Sequence, residues 1–243
     1  MPIMKPLQIQ CTGYAIAVDW YDGADSSKVL LVLPGYTSSK SRQIDFVSAL
    51  VEQTGTSALV IDYTGHGESP LELKDTRPAQ HFLEVIYAFD WLRDNYPEAE
   101  ISVTGSSYGG FLAVQLTKYR EFKNLVLRAP AIYRPNEFYN LWGDRLQDEE
   151  NYAKSTQEFR SNAEALEKHP LLGRASKYAG RTLVVVHEHD EHIPREVTNA
   201  YIKAFNAESF IAEGFVHSVG QSNITKQQVQ DYQSRIALWL KQV

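Results

Sequence analysis

The chain has 243 residues, 43% of them hydrophobic and 22% charged, which is enough apolar material for the core of one globular domain. Its 24 basic and 30 acidic residues give a net charge of −6, and no cluster of lysines and arginines could neutralise a phosphate backbone. Nucleic acid is therefore not an expected partner, and no run of about eighteen apolar residues predicts a membrane span.

The predicted elements begin with two β-rich segments, 7–11 and 14–20, which are separated by Thr12 and Gly13 and predict a hairpin. Apolar runs without polar alternation then predict strands covered on both faces, at 28–33, 57–63, 101–105, 124–128, 182–188 and 209–212. Segments with helical spacing alternate with them, at 42–53, 78–96, 109–120, 194–205 and 225–240. This α/β order predicts a mostly parallel central sheet flanked by helices, in a single domain that covers 1–243.

The segment 131–179 breaks this alternation, because it carries several aromatic side chains among many charges and has no strand pattern. A structureless loop of that length is uncommon in a compact domain. We therefore expect a mostly helical insertion between two strands, lying over the sheet as a cap. The alternative is a pair of ordinary crossover helices whose aromatic side chains belong to the core.

The compartment is suggested by the first residues and by cysteine usage. Residues 1–10 include two prolines and lack the apolar region of a signal peptide. Cys11 is the single cysteine, which excludes an internal disulfide and agrees with a reducing compartment. Its place in the first strand pattern, without a glycine-rich turn, favours a passive role. These features predict a cytoplasmic protein and leave its oligomeric state open.

A G-x-S-x-G pattern lies between the predicted strand 101–105 and the helix that follows it. Such a turn forces the serine into a strained backbone conformation, and side chains at the flanking positions would collide with neighbouring backbone. The strain exposes the hydroxyl at the carboxyl end of the sheet, next to the positive end of a helix. Of the two adjacent serines, only Ser107 has a glycine two residues before it and two residues after it. Two residues before Ser106 the chain has Thr104. Ser107 is the predicted nucleophile, and the N–H of Tyr108 is the expected first oxyanion donor.

Upstream, the segment from Asp62 to Ser69 reads D-Y-T-G-H-G-E-S. With the serine motif, it resembles the D-x-x-G-H-G-x-S loop of the α/β-hydrolase superfamily, in its serine esterase and lipase-like branch, and the resemblance covers most of the chain. It implies the α/β-hydrolase fold with a helical cap, a serine nucleophile and no cofactor. It also implies that His66 orders the loop rather than takes part in catalysis, and that Tyr36 supplies the second oxyanion donor. Pro34 stands where that family often has histidine.

The remaining catalytic residues are expected after the cap, in the order serine, acid, histidine. The loop after strand 182–188 resembles the family's G-x-x-D-x-x-V-P segment, with Asp190 as the acid and His187 where glycine is usual. Glu188 and Glu191 are rival acids. The last strand is followed by His217, which resembles the histidine of the family's Gly-His-Ser ending, although Val216 replaces the glycine.

These residues predict a serine hydrolase that acts through an acyl-enzyme, without cofactor or metal. The aromatic residues of 131–179 favour a carboxylesterase for small to medium, apolar or aromatic esters. A thioesterase or small peptidase is the alternative of the same fold, and a non-catalytic ligand-binding protein is an alternative of another class. A metal site is a further possibility at the alternating histidines and acids of the loop, which are His187, Glu188, His189, Asp190, Glu191 and His192.

Overall fold

The computed structural model describes residues 2–221 and 223–242. In this part of the chain the strands form one eight-stranded sheet in the order β1-β2-β4-β3-β5-β6-β7-β8. The strands are β1 Met4–Cys11, β2 Tyr14–Tyr21, β3 Asp25–Leu33, β4 Thr56–Ile61, β5 Glu100–Ser106, β6 Asn124–Arg128, β7 Arg181–His189 and β8 Glu208–Val216. The first two form the predicted antiparallel hairpin, and β2 also lies antiparallel to β4. Strands β3 to β8 run parallel to one another.

Helices cover both faces of this sheet. They are α1 Ile44–Thr54, α2 Pro78–Asn95, α3 Tyr108–Leu116, α4 Trp142–Leu146, α5 Glu149–Arg160, α6 Ala163–Glu167, α7 Arg195–Phe205 and α8 Lys226–Lys241. Side chains of α2, α3 and α7 belong to the apolar cluster on one face, and those of α1 and α8 belong to the cluster on the other. Since β4, β5 and β6 lie between two packed faces, nearly every residue in them is buried, which explains their apolar runs.

Several predicted element ends differ from the structure, among them the end of one helix and the end of the last strand. The helix predicted over 109–120 ends at Leu116, because Lys118 and Tyr119 close tighter turns by donating to the carbonyls three residues earlier. The last strand continues to Val216 instead of ending at 212, because Gly214 adopts a φ of 78° and the pairing with β7 shifts register between His187 and His189. This bulge leads the chain from β8 directly to His217.

The interval 131–179 contains α4, α5, α6 and two 3-10 turns, at Pro135–Phe138 and Leu172–Lys177. Its described residues contain no strand. Trp142 and Leu166 join the core cluster that faces α2 and α3. The interval is therefore helical, as the sequence predicts, while its role as a cap stays a prediction. Among the described helices, none is long and apolar enough to cross a membrane.

Candidate active site

Ser107 occupies the sharp turn between β5 and α3, with φ 50° and ψ −112°. This backbone conformation is strained for any residue with a side chain. A Cβ at Gly105 would overlap the carbonyl of Gly109, and a Cβ at Gly109 would overlap the carbonyl of Leu33. Both glycines are thus required by close backbone approach. The turn holds the Ser107 side chain at the carboxyl end of the sheet.

His217 lies between Ser107 and Asp190. Its Nε2 is 2.9 Å from Ser107 Oγ, and its Nδ1 is 2.8 Å from Asp190 Oδ2. Because Nδ1 faces a carboxylate, Nδ1 carries the proton, and Nε2 presents its lone pair to the serine hydroxyl. The structure thus brings together the three residues that the sequence selects from separate loops. This arrangement can take a proton from Ser107 as the hydroxyl attacks a carbonyl.

Asp190 is held in place by the loop that follows β7. Its Oδ1 accepts hydrogen bonds from the backbone amides of His192, at 3.0 Å, and Ile193, at 2.8 Å. Burial raises the pKa of this carboxyl, but the hydrogen bond and the charge of His217, with these two amides, hold the pKa below its usual value. Asp190 therefore remains ionised while it lies against the imidazole.

The rival acids have other partners. Glu188 Oε2 accepts the amide of Gly214 at 2.7 Å, and Glu191 Oε2 accepts the amide of His217 at 3.2 Å. The two carboxylates thus tie the end of β7 and the loop after it to the end of β8 and to His217. They fix where the His217 backbone lies, whereas Asp190 contacts the ring.

The two predicted oxyanion donors belong to segments that adjoin Ser107. Tyr108 is the first residue of α3, so its N–H has no carbonyl partner within the helix. Gly35 lies directly against Ser107, since a Cβ placed on it would be 3.5 Å from Ser107 Cβ, and Tyr36 follows Gly35 in the chain. The Tyr108 side chain is fully buried, and its hydroxyl donates to His81 Nδ1 at 2.9 Å. That bond anchors the start of α3.

The D-x-x-G-H-G-x-S loop is ordered by its own side chains. Asp62 accepts the amides of Lys40 at 2.6 Å and Glu68 at 2.9 Å, and the Ser69 hydroxyl donates to the Asp62 carbonyl at 2.7 Å. His66 is buried, and its Nδ1 lies 3.2 Å from the Thr64 carbonyl. Burial lowers its pKa. Its ring packs edge-on against Tyr36, which agrees with the predicted ordering role.

A cavity of about 350 Å³ opens onto Ser107 and His217. Aromatic side chains form much of its wall, with Tyr36 and Trp142 only 4.4 Å apart between ring centres. Sequence reasoning anticipated these aromatic groups but missed two arginines of the same wall, Arg145 and Arg160. Their positions in a charged, helical stretch gave no signal that they would be buried.

The histidines at the end of β7 and in the loop after it do not share one environment. His187 is buried, where its Nδ1 donates to the Val216 carbonyl at 2.9 Å and its Nε2 lies 3.3 Å from the Tyr232 hydroxyl. His189 and His192 are exposed, each 3.5 Å from the neighbouring glutamate. Among the residues that the structure describes, no group of three histidine, cysteine or acidic side chains is arranged to hold a metal ion.

Protein stability should therefore depend on His187 in mild acid. Burial lowers its pKa from 6.5 to about 4, so between these values the unfolded chain binds a proton that the folded protein does not. The neutral His187 stabilises the fold fully at pH values above 6.5, its pKa in the unfolded chain. This stabilisation is lost as the pH falls toward about 4, its pKa in the folded protein. We expect His187 to account for about 2 kcal/mol of the decline in unfolding free energy between pH 7.5 and 5.

Urea unfolding of His187→Gln at both pH values measures this contribution. In His187→Gln the unfolding free energy should fall less between pH 7.5 and 5, by about 2 kcal/mol. His189→Gln, at an exposed position of the same strand, should leave that fall unchanged. An identical decline in wild type and His187→Gln would contradict the assignment.

Comparisons with known proteins fit this fold. The family model described as serine aminopeptidase, S33, matches residues 24–167. A proline iminopeptidase, PfmaB of Pestalotiopsis fici, is 30% identical over 113 residues, which are 45% of this chain and only 38% of that protein.

Solved structures resemble the whole chain at low identity. The esterase Pf2001 of Pyrococcus furiosus has a TM-score of 0.70 and 22% identity, covering 99% of this chain and 92% of its own. An esterase of Pyrobaculum calidifontis has a TM-score of 0.71 and 18% identity, covering 98% of this chain and 84% of its own. An α/β serine hydrolase homologue from Coxiella burnetii has a TM-score of 0.68 and 14% identity, covering 97% of both chains. At these identities the likeness is one of fold. The chain belongs to the serine aminopeptidase S33 family, within the α/β-hydrolase superfamily.

Proposed function

We propose that this protein is a serine hydrolase that forms an acyl-enzyme on Ser107, with His217 as general base and Asp190 as the acid that orients it. One observation carries the proposal: the His217 ring lies within hydrogen-bond distance of Ser107 Oγ, at 2.9 Å, and of Asp190 Oδ2, at 2.8 Å. An unstrained serine without a base would be a poor nucleophile. Here the strained turn and the imidazole act on the same hydroxyl.

The proposed reaction needs only groups of this chain, the substrate and water. Ser107 Oγ attacks the acyl carbonyl while its proton moves to His217 Nε2, and the protonated imidazole then gives that proton to the leaving alcohol. The oxyanion is stabilised by the N–H groups of Tyr36 and Tyr108, and losing one such donor typically costs roughly 3–4 kcal/mol. A water molecule, activated by the same imidazole, releases the acyl group.

Among acyl substrates, we propose carboxylic esters of small to medium size with an apolar or aromatic part. The cavity of about 350 Å³ is at the lower end of ligand sites, which span roughly 300–1,000 Å³. Its aromatic wall, which includes Tyr133, Trp142 and Tyr152, suits a flat group. The helical interval 131–179, which supplies these side chains, is proposed as the cap of a single domain that covers 1–243.

Selectivity should therefore depend on Trp142. Replacing Trp142 with Ala removes an aromatic wall of the cavity, so we expect the kcat/KM optimum of p-nitrophenyl esters to move to longer acyl chains. The preference for octanoate over acetate should rise by about tenfold or more, because a buried methylene contributes roughly 0.8 kcal/mol.

The measurement is a series of acyl lengths, with Trp91→Ala as the matched control. Trp91 packs against Trp20 away from the cavity, so this change should lower thermal stability without moving the optimum. An optimum that stays the same in Trp142→Ala would contradict the cap's role in selection.

A second candidate function is removal of an amino-terminal residue, because the family is described as serine aminopeptidase and one relative is a proline iminopeptidase. Aminopeptidase substrates carry a protonated amine near the scissile bond. Arg145 and Arg160 in the cavity wall would repel that charge. Comparing aminoacyl p-nitroanilides with p-nitrophenyl esters decides between the two, and faster turnover of the anilides would replace the esterase proposal.

A further inference from the structure

Two buried arginines line the cavity that contains Ser107. Arg145 belongs to α4 and is 6% exposed, and Arg160 is the last residue of α5 and is 8% exposed. Arginine is almost never buried unless it is paired. Neither guanidinium has an acidic side chain within ion-pair distance among the residues that the structure describes. Two positive charges thus face one small site without an acidic partner.

Arg145 is surrounded by aromatic rings and retains unused donors. Its guanidinium carbon lies 4.0 Å from the centre of the Trp142 ring, with the rings of Tyr133 and Tyr152 at 5.6 and 5.5 Å. Its Nη2 donates to the Glu137 carbonyl. Nε and Nη1 are buried and lack a hydrogen-bond partner in the described part of the chain. An unpaired buried donor on a charged group is costly, so a ligand that accepts from it is strongly favoured.

Glu137, whose carbonyl accepts from Arg145, does not offer its carboxylate to that guanidinium. The Glu137 carboxylate accepts from the backbone amide of Arg134 at 2.8 Å and from Arg134 Nη1 at 3.2 Å. Glu149 is the acidic residue of the cavity lining, and it is exposed. The charge on Arg145 therefore remains uncompensated inside the cavity.

Arg160 donates to the backbone beside the catalytic histidine and to the start of the helical interval. Its Nε donates to the Ile132 carbonyl at 3.1 Å, and its Nη1 donates to the His192 carbonyl at 3.2 Å. The His192 ring is 5.1 Å from the His217 ring. The two carbonyls are neutral, so they position the guanidinium without neutralising it. Its charge adds to that of Arg145 in the wall of the same cavity.

We propose that Arg145 and Arg160 form a subsite for a carboxylate group of the substrate. The inference rests on the proposed function and names its substrate class: carboxylic esters that carry a free carboxylate a few bonds from the scissile ester. A guanidinium matches the geometry of a carboxylate, and the aromatic walls suit a flat, conjugated acid. Binding this anion supplies the acidic partner that the described residues do not provide.

The test compares matched pairs of esters that differ only in charge. On the alcohol side the pair is 4-acetoxybenzoate and 4-acetoxybenzamide, and on the acyl side it is monoethyl adipate and ethyl adipamate, with each rate corrected for spontaneous hydrolysis. For at least one pair, we expect the wild-type kcat/KM of the ester that carries the carboxylate to exceed that of the amide ester by roughly tenfold or more. This is the size of effect expected from hydrogen bonds to a charged group. Arg145→Met and Arg160→Met should each reduce that ratio by about tenfold.

The matched control is Arg134→Met. Arg134 also lies over an aromatic ring, that of Phe159, at 5.0 Å, but it does not line the cavity and it has Glu137 as its acidic partner. Its variant should keep the ratio within about twofold. If Arg145→Met does not fold, Arg145→Lys retains the charge without the planar fork and should give an intermediate ratio.

Binding without turnover separates this inference from the proposed function. Calorimetry on Ser107→Ala protein should give a Kd for 4-acetoxybenzoate or monoethyl adipate at least about tenfold below that of its amide, and adding Arg145→Met should remove the difference. Failure of Ser107 to react with any ester would overturn the proposed function, while this binding difference would still support the subsite. Equal Kd values for both pairs, or a charge preference that survives in both arginine variants, would show that the arginines only pack and would overturn the inference.

Discussion

Replacing Ser107 with Ala should reduce the hydrolysis of short p-nitrophenyl esters by at least about 10⁴-fold. The hydroxyl is the atom that the His217 ring contacts at 2.9 Å, and alanine removes it without altering the turn. Any remaining rate would come from the oxyanion donors and substrate binding alone. The folded structure should persist, since the strained φ of 50° is already accommodated by the surrounding glycines.

Ser106 offers a control one residue away. It ends β5 and pairs with Arg128 of β6, so Ser106→Ala should keep turnover within about tenfold of wild type. A fluorophosphonate probe should label wild type and Ser106→Ala but not Ser107→Ala, with mass spectrometry locating the adduct on Ser107. Undiminished turnover in Ser107→Ala would exclude the proposed mechanism, and a non-catalytic binding protein would show no labelling in any variant.

The nucleophile turn could be predicted because its determinants are local. A strand that changes at once into a helix, with glycines at 105 and 109, leaves Ser107 few alternatives, and the structure shows that both glycines are sterically required. The positions of Asp190 and His217 could be predicted from topology. They follow β7 and β8, which are adjacent parallel strands and so end at the same edge of the sheet. Chain order indicated the two loops, and the resemblance to the family's motifs selected Asp190 and His217 within them.

The cavity wall could not be predicted in the same way. In the interval 131–179, charged and aromatic residues alternate so closely that several helical faces could pack inward. Arg145 and Arg160 follow the pattern of solvent-exposed charges, and only the packing of the rings of Tyr133 and Trp142 against them shows that they are buried. The end of β8 was missed for a related reason. Gly214 marks a bulge within the strand, whereas the sequence pattern suggested a loop.

Asp190→Asn should reduce kcat/KM by about 10⁴-fold, because the substitution reverses the tautomer of His217. Asp190 Oδ1 accepts two backbone amides, so the oxygen of an asparagine would remain at that position and its NH₂ group would take the place of Oδ2. That NH₂ group would donate to Nδ1, and the imidazole proton would move to Nε2. A protonated Nε2 cannot accept the proton of Ser107.

The neighbouring acids make this prediction specific to Asp190. Glu188→Gln and Glu191→Gln each retain a carbonyl oxygen that can accept the Gly214 or His217 amide, so both should stay within about tenfold of wild-type kcat/KM. The rate of fluorophosphonate labelling should fall strongly in Asp190→Asn and little in the two glutamine variants, because the probe also needs a deprotonated serine oxygen. If Glu191→Gln lost as much activity as Asp190→Asn, two carboxylates would share the task. If Asp190→Asn lost less than about tenfold, the imidazole would hold its tautomer without Asp190, and the 2.8 Å contact would serve only to pack the loop.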